Sequence, residues 1–251
     1  MNVGVLECEY IGSADRSATG GASRPVAGDY TKLFEQLLAS SGNSDVLRLY
    51  PVDVRHGVLP SSPGAYDAYI ITGSYAGVYD GEPWIESLLQ FIRDAHSSSI
   101  PLVGICFGHQ ALAHALGGRA AKAEIGWQLG VVHTTIHSEA AGTPQWLEER
   151  REALNLVYMH QDQVMELPPG ALNFAETQRC PYAGFIIGET ALGLQGHPEF
   201  SADLTKSLIR AKPDHYGREV ATAALASLEH HVDRAPVARW IARFLETAPR
   251  G

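Results

Sequence analysis

Residues 100–118 read Ile100-Pro101-Leu102-Val103-Gly104-Ile105-Cys106-Phe107-Gly108-His109-Gln110-Ala111-Leu112-Ala113-His114-Ala115-Leu116-Gly117-Gly118. The apolar run at the start predicts a buried strand, and Ala111 onward predicts a helix stopped by two glycines. Cys106 stands between Gly104 and Gly108 at the junction. This is the nucleophile-elbow pattern with Cys in place of Ser. The glycines permit a tight turn that side chains would obstruct. The helix N-terminus aims partial positive charge at the sulfur and favours its thiolate.

A second segment completes a chemistry. Gly193-Leu194-Gln195-Gly196-His197-Pro198-Glu199-Phe200 follows another expected strand. It brings a base, His197, and a carboxylate, Glu199, on one loop. A Cys nucleophile attacking an amide carbonyl needs that base, and its tetrahedral intermediate needs preorganised N–H donors. The expected donors are the amides of Phe107, at the elbow, and of Gly73, at a neighbouring strand end.

Elsewhere the pattern alternates strand and helix. Val3–Glu7, Asp45–Tyr50 and Tyr66–Thr72 read as strands. Tyr30, Leu33, Phe34, Leu37 and Leu38 recur at helical spacing, and Pro83 opens a helix toward Ala95 with Trp84, Leu88, Phe91 and Ile92 on one face. Trp127–His137 and Leu154–Met159 read as an antiparallel edge, Ala183–Ile187 and Ala191–Gln195 as a hairpin, and 202–247 as helical. Gly12–Gly28 reads as a mobile Gly/Ser/Ala-rich loop. The expectation is an α/β fold with a mostly parallel sheet flanked by helices, a small antiparallel addition, and one domain over 1–251 with a helical tail from about 202. Ligands of such sheets bind at the carboxyl ends of the strands, where Gly73, Cys106 and His197 fall.

Composition narrows the partners. With 19 basic and 28 acidic residues the chain carries −9, which disfavours nucleic acid and anionic membrane surfaces. No window is apolar for the length of a membrane span, and the first residues lack a signal-peptide pattern. Three cysteines without a CxxC pair argue against a disulfide framework and suit a reducing, cytoplasmic setting. Cys8 reads as a buried strand end, with a place near the site mouth as the alternative, and Cys180, before Pro181, as a turn. His96, His114, His133, His137 and the His230-His231 pair lack ligand spacing, so no metal and no cofactor are expected. No phosphate-loop motif is present.

These motifs together resemble class I glutamine amidotransferases of the Cys-His-Glu type, especially free-standing proteins related to the amidotransferase half of GMP synthetase. The resemblance runs from about Val3 to Ser201. It includes Gly28-Asp29-Tyr30, Ile71-Thr72-Gly73-Ser74, Pro83-Trp84-Ile85, the elbow, Gly126-Trp127-Gln128-Leu129-Gly130, His160-Gln161-Asp162-Gln163-Val164 and Gln195-Gly196-His197-Pro198-Glu199. It implies a flavodoxin-like fold and hydrolysis of a γ-glutamyl amide through a thioester on Cys106. It further implies that Gln110 contacts the glutamyl moiety and that His160, Gln161 and Asp162 line its pocket. The alternative for that last segment is a turn held by a local Asx bond. His109 is expected to support the site rather than react.

Gly73-Ser74-Tyr75 departs from the Gly-Gly-Pro or Gly-Ser-Pro of many amidotransferases and resembles a free-standing subgroup that includes γ-glutamyl peptidases. Three readings of function stand: autonomous hydrolysis of glutamine or a γ-glutamyl metabolite or peptide, supply of ammonia to a synthetase partner, or a non-catalytic regulatory role on the same fold. The leaving group is expected to lie against the 12–28 loop and Tyr75–Tyr79.

Overall fold

The structure, a computed structural model, describes residues 1–11, 29–42, 46–137, 144, 147 and 151–248. The loop expected at Gly12–Gly28 lies outside the described residues. The first half of the chain runs β1 (Asn2–Glu7), α1 (Asp29–Ala39), β2 (Arg48–Asp53), β3 (Ala68–Ile71), α2 (Pro83–Ser97), β4 (Leu102–Ile105), α3 (Phe107–Ala115) and β5 (Arg119–Lys122). There follow β6 (Gln128–Ile136), β7 (Ala153–His160), β8 (Asp162–Glu166), β9 (Ala171–Thr177), β10 (Cys180–Ile187) and β11 (Ala191–Leu194). Four helices close the chain: α4 (Ala202–Ala211), α5 (Pro213–Tyr216), α6 (Arg218–Ser227) and α7 (Arg234–Thr247).

Among the described residues nine strands form one sheet in the order β2-β1-β3-β4-β11-β10-β9-β6-β7. From β2 to β11 the pairing is parallel; from β11 to β7 it is antiparallel. β3, β4 and β11 are buried at every residue, as their unbroken apolar runs require of strands covered on both faces. Alternate residues feed two cores. Ile70 and Val103 join Phe34, Trp240 and Phe244 on the face of α1 and α7. Tyr69, Ile71 and Leu102 join Trp84, Leu88 and Leu112 on the face of α2 and α3.

The second strand lies later than the sequence suggests. Asp45 is outside the described residues, and pairing runs from Arg48 to Asp53, through Pro51. Pro51 is tolerated because β2 is the edge strand, where a missing N–H faces no neighbour. Cys180 is not a turn residue: it starts β10, fully buried, with Pro181 beside a register shift. Cys8 is buried as expected, its amide donating to Thr72 Oγ1 at 2.9 Å. β5, β8 and β9 carry no alternating pattern in the sequence. β5 and β8 pair only with each other, in a small antiparallel ribbon beside the main sheet. The helical stretch after Ser201 is broken at Lys212-Pro213 and at Gly217. Among the described residues no helix is long and apolar enough to cross a membrane.

Candidate active site

The elbow forms because three backbones meet there. A Cβ at Gly104 would sit 2.4 Å from the Gly108 carbonyl oxygen, and one at Gly108 would sit 2.2 Å from that of Ile71. Both positions therefore exclude a side chain on backbone contact alone. Cys106 is held at φ 55° and ψ −104°, a strained conformation for a non-glycine residue. Such strain costs of order 1–3 kcal/mol and persists only when the surroundings enforce it. Here the Cys106 amide donates to Leu194 at 2.8 Å and the Gly108 amide to Thr72 at 3.1 Å, so β11 and the end of β3 pin the turn. Cys106 is the residue immediately before α3, and is 5 % exposed.

β11 leads straight into the His197 loop. The His197 amide donates to the Val157 carbonyl at 2.7 Å, fastening the loop to β7. Its Nδ1 lies 2.7 Å from Glu199 Oε1, and its ring stacks on Phe200 at 4.2 Å and 9°. Burial pulls the His197 pKa down. The Glu199 carboxylate, charge on Cys106, and hydrogen bonds to both overcome that and raise it to about 10. The imidazole is thus held toward its cationic form. A Cβ on Gly73 would lie 3.0 Å from His197 Cε1 and 3.7 Å from Cys106 Cβ, which puts the Gly73 backbone against both. Among the described residues neither the Gly73 nor the Phe107 amide has a hydrogen-bond acceptor.

A cavity of about 400 Å³ opens over Cys106. Gln110, His160, Gln161 and Asp162 all line it, together with His197. Gln110 donates from Nε2 to the Asp162 carbonyl (2.7 Å) and to Gln195 Oε1 (3.1 Å), leaving its own carbonyl oxygen without a protein donor among the described residues. His160 ends β7 and Asp162 begins β8, so the segment is a tight turn as well as a cavity wall. Its closure is not an Asx bond: His160 Nδ1 meets the Asp162 carbonyl at 2.9 Å, while the Asp162 carboxylate accepts from Tyr79 Oη at 2.7 Å. Burial lowers the His160 pKa to about 3, so this imidazole is neutral. His109 packs against Phe185 and is likewise kept neutral by burial, near 3.

Sequence reasoning missed several neighbours. Arg234, at the start of α7, donates to the carbonyls of Pro198 (2.8 Å) and Glu199 (3.1 Å) and so clamps the His197 loop from behind. Lys212, Leu208 and His215 reach the cavity from the helices after Ser201. No local pattern marks them, because only the chain's return across the sheet brings them to the site.

An elbow cysteine before α3 and a carboxylate-bonded histidine after β11 stand at the ends of neighbouring parallel strands, the arrangement of a cysteine-dependent amidotransferase-type site. The sequence profile of the family described as "Glutamine amidotransferase class-I" matches residues 29–212, and the chain belongs to that family. It is 31 % identical over 235 residues to a glutamine amidotransferase-like protein of Schizosaccharomyces pombe, covering 87 % of this chain and 91 % of that protein. It is 30 % identical over 229 residues to γ-glutamyl peptidase 4 of Arabidopsis thaliana, covering 88 % and 89 %. The crystal structure of a glutamine amidotransferase from Thermotoga maritima shares the fold, with a TM-score of 0.74, 21 % identity and 98 % of each chain covered.

Proposed function

We propose that the protein hydrolyses the γ-glutamyl C–N bond of glutamine or a γ-glutamyl compound. The observation that carries the reading is the buried His197–Glu199 pair set against Cys106 beneath an open cavity. The Cys106 thiolate adds to the γ-carbonyl carbon, and the oxyanion so formed is received by the Gly73 and Phe107 amides. As the intermediate collapses the C–N bond breaks, and His197 gives its proton to the departing amine. Water, deprotonated by His197, then cleaves the thioester and releases glutamate. Gln110 offers its free carbonyl oxygen to the substrate's α-ammonium, with the His160-Gln161-Asp162 turn as the wall behind it. The name of the Arabidopsis relative, a γ-glutamyl peptidase, supports a γ-glutamyl substrate. A thiol nucleophile and three free, buried cysteines fit a reducing, cytoplasmic setting.

The test uses the purified chain with glutamine, γ-glutamyl dipeptides and γ-glutamyl amines, with glutamate release as the readout. A glutamine-shaped electrophile should label Cys106 and spare Cys8 and Cys180, and Cys106→Ala should abolish both labelling and turnover. Labelling on another cysteine, or turnover by Cys106→Ala, would remove the nucleophile assignment. Release that appears only when a synthetase is added would replace autonomous hydrolysis with ammonia supply.

A further inference from the structure

Part of the cavity lining has no role in the chemistry above. Gln110, Tyr79 and the His160–Asp162 turn form one hydrogen-bonded group in the lining. Tyr75, Trp127, Leu208, Lys212 and His215 line the cavity as well, as do Glu9 and Lys122. Lys212 Nζ lies 4.8 Å over the centre of the Tyr75 ring, a cation–π contact. Trp127 packs edge-on to His215 at 5.2 Å and to Tyr216 at 4.9 Å, which makes the wall rigid and largely aromatic.

Three features make Lys212 a ligand group rather than a solvated surface charge. It is partly buried and lines the cavity. Among the described residues no carboxylate pairs with it, although Lys206, on the same helix, does pair, with Glu229. It also stands at the junction of α4 and α5, where its amide donates to the Ile209 carbonyl and fixes its backbone beside the cavity.

The direction of the chemistry says which part of the substrate meets this wall. The departing nitrogen must take its proton from His197, so the leaving group lies on the His197 side of the sulfur. His197 stacks on Phe200, and Phe200 leads directly into α4, which ends at Lys212. Tyr75, under the Lys212 ammonium, is two residues from Gly73, whose backbone abuts His197.

We infer that Tyr75, Trp127 and Lys212 form a leaving-group subsite selecting an apolar or aromatic amine that carries a carboxylate, that is, an α-amino acid or peptide rather than ammonia. The inference rests on the proposed γ-glutamyl hydrolysis and adds to it the identity of the amine. An aromatic wall that carries the Lys212 ammonium matches such a group in shape and in charge, whereas ammonia would leave the wall unused.

The test compares γ-glutamyl-phenylalanine with γ-glutamyl-phenethylamide, which keeps the ring and lacks the carboxylate, and with glutamine. The purified protein should favour the dipeptide over the phenethylamide by about tenfold or more in kcat/KM. In Lys212→Met that ratio should fall about tenfold, and in Lys212→Glu it should invert. Equal kcat/KM for the two substrates in the unmodified protein overturns the subsite whatever the variants do. So does a Lys212→Met variant with an unaltered ratio. Cleavage of glutamine or the phenethylamide alone discards the subsite and leaves the hydrolysis standing. No glutamate from any of the three discards both.

Discussion

Glu199→Gln isolates what the buried carboxylate does for His197. Gln keeps the shape of Glu and removes only the charge. Glu199 is fully buried and its Oε1 sits 2.7 Å from His197 Nδ1. Unit charges centred about 4 Å apart attract by ~4 kcal/mol at an effective dielectric of about 20. At ~1.4 kcal/mol per unit, that is worth about three pKa units. It is the largest of the effects that, with those of Cys106 and against burial, raise His197 from 6.5 to about 10. Without the carboxylate charge the largest raising effect is gone, and the His197 pKa should fall from about 10 toward the value that burial favours. Two measurements follow. Alkylation of Cys106 by iodoacetamide near neutral pH should slow, because the thiolate loses its cation, and the deficit should close as pH rises. The value of kcat/KM for glutamate release should fall on the order of a hundred- to a thousandfold, since the imidazolium that forms in the transition state loses up to ~4 kcal/mol. Stability carries a matching sign. A histidine raised above its unfolded value stabilises the fold fully below about pH 6.5 and loses that contribution as pH rises through about 10. The urea midpoint of the unmodified protein should therefore decline over that window, and Glu199→Gln should flatten the decline. Superimposable alkylation profiles, with kcat/KM within about threefold, would refute the electrostatic reasoning.

Two further substitutions probe the frame around the pair. Gly108→Ala puts a methyl 2.2 Å from the Ile71 carbonyl oxygen, a backbone atom that cannot swing aside. Overpacking of this kind costs about 1–3 kcal/mol, or roughly 2–10 °C in Tm, and the shifted elbow should lose most turnover. Gly64→Ala, with open space around the new methyl, is the control that thermal denaturation should find near neutral. Arg234→Met removes two donors from the His197 loop. We expect kcat to fall about tenfold with KM little changed and Arg234→Lys to recover part of it; a variant altered only in Tm would make Arg234 structural.

The elbow was legible in the sequence because its cause is local. Gly104 and Gly108 flank Cys106 at fixed spacing, and the turn they allow admits few other residues. The His197-Pro198-Glu199 loop was legible for the same reason: base and carboxylate are two residues apart. Apolar runs at β3, β4 and β11 announced a sheet buried on both faces. What the tertiary structure alone decided is everything that depends on separate segments meeting. β5, β8 and β9 are strands because a partner edge is present, since their residues have weak intrinsic preference for extended backbone. Pro51 stays inside a strand because β2 lies at the edge. The Gly73 backbone abuts Cys106 and His197 because the Gly108 amide of α3 is bonded to Thr72 at the end of β3. Arg234 and Lys212 reach the site because the last helices fold back over it. Such contacts span tens of residues and depend on chain path rather than residue period, so no window of the sequence contains them.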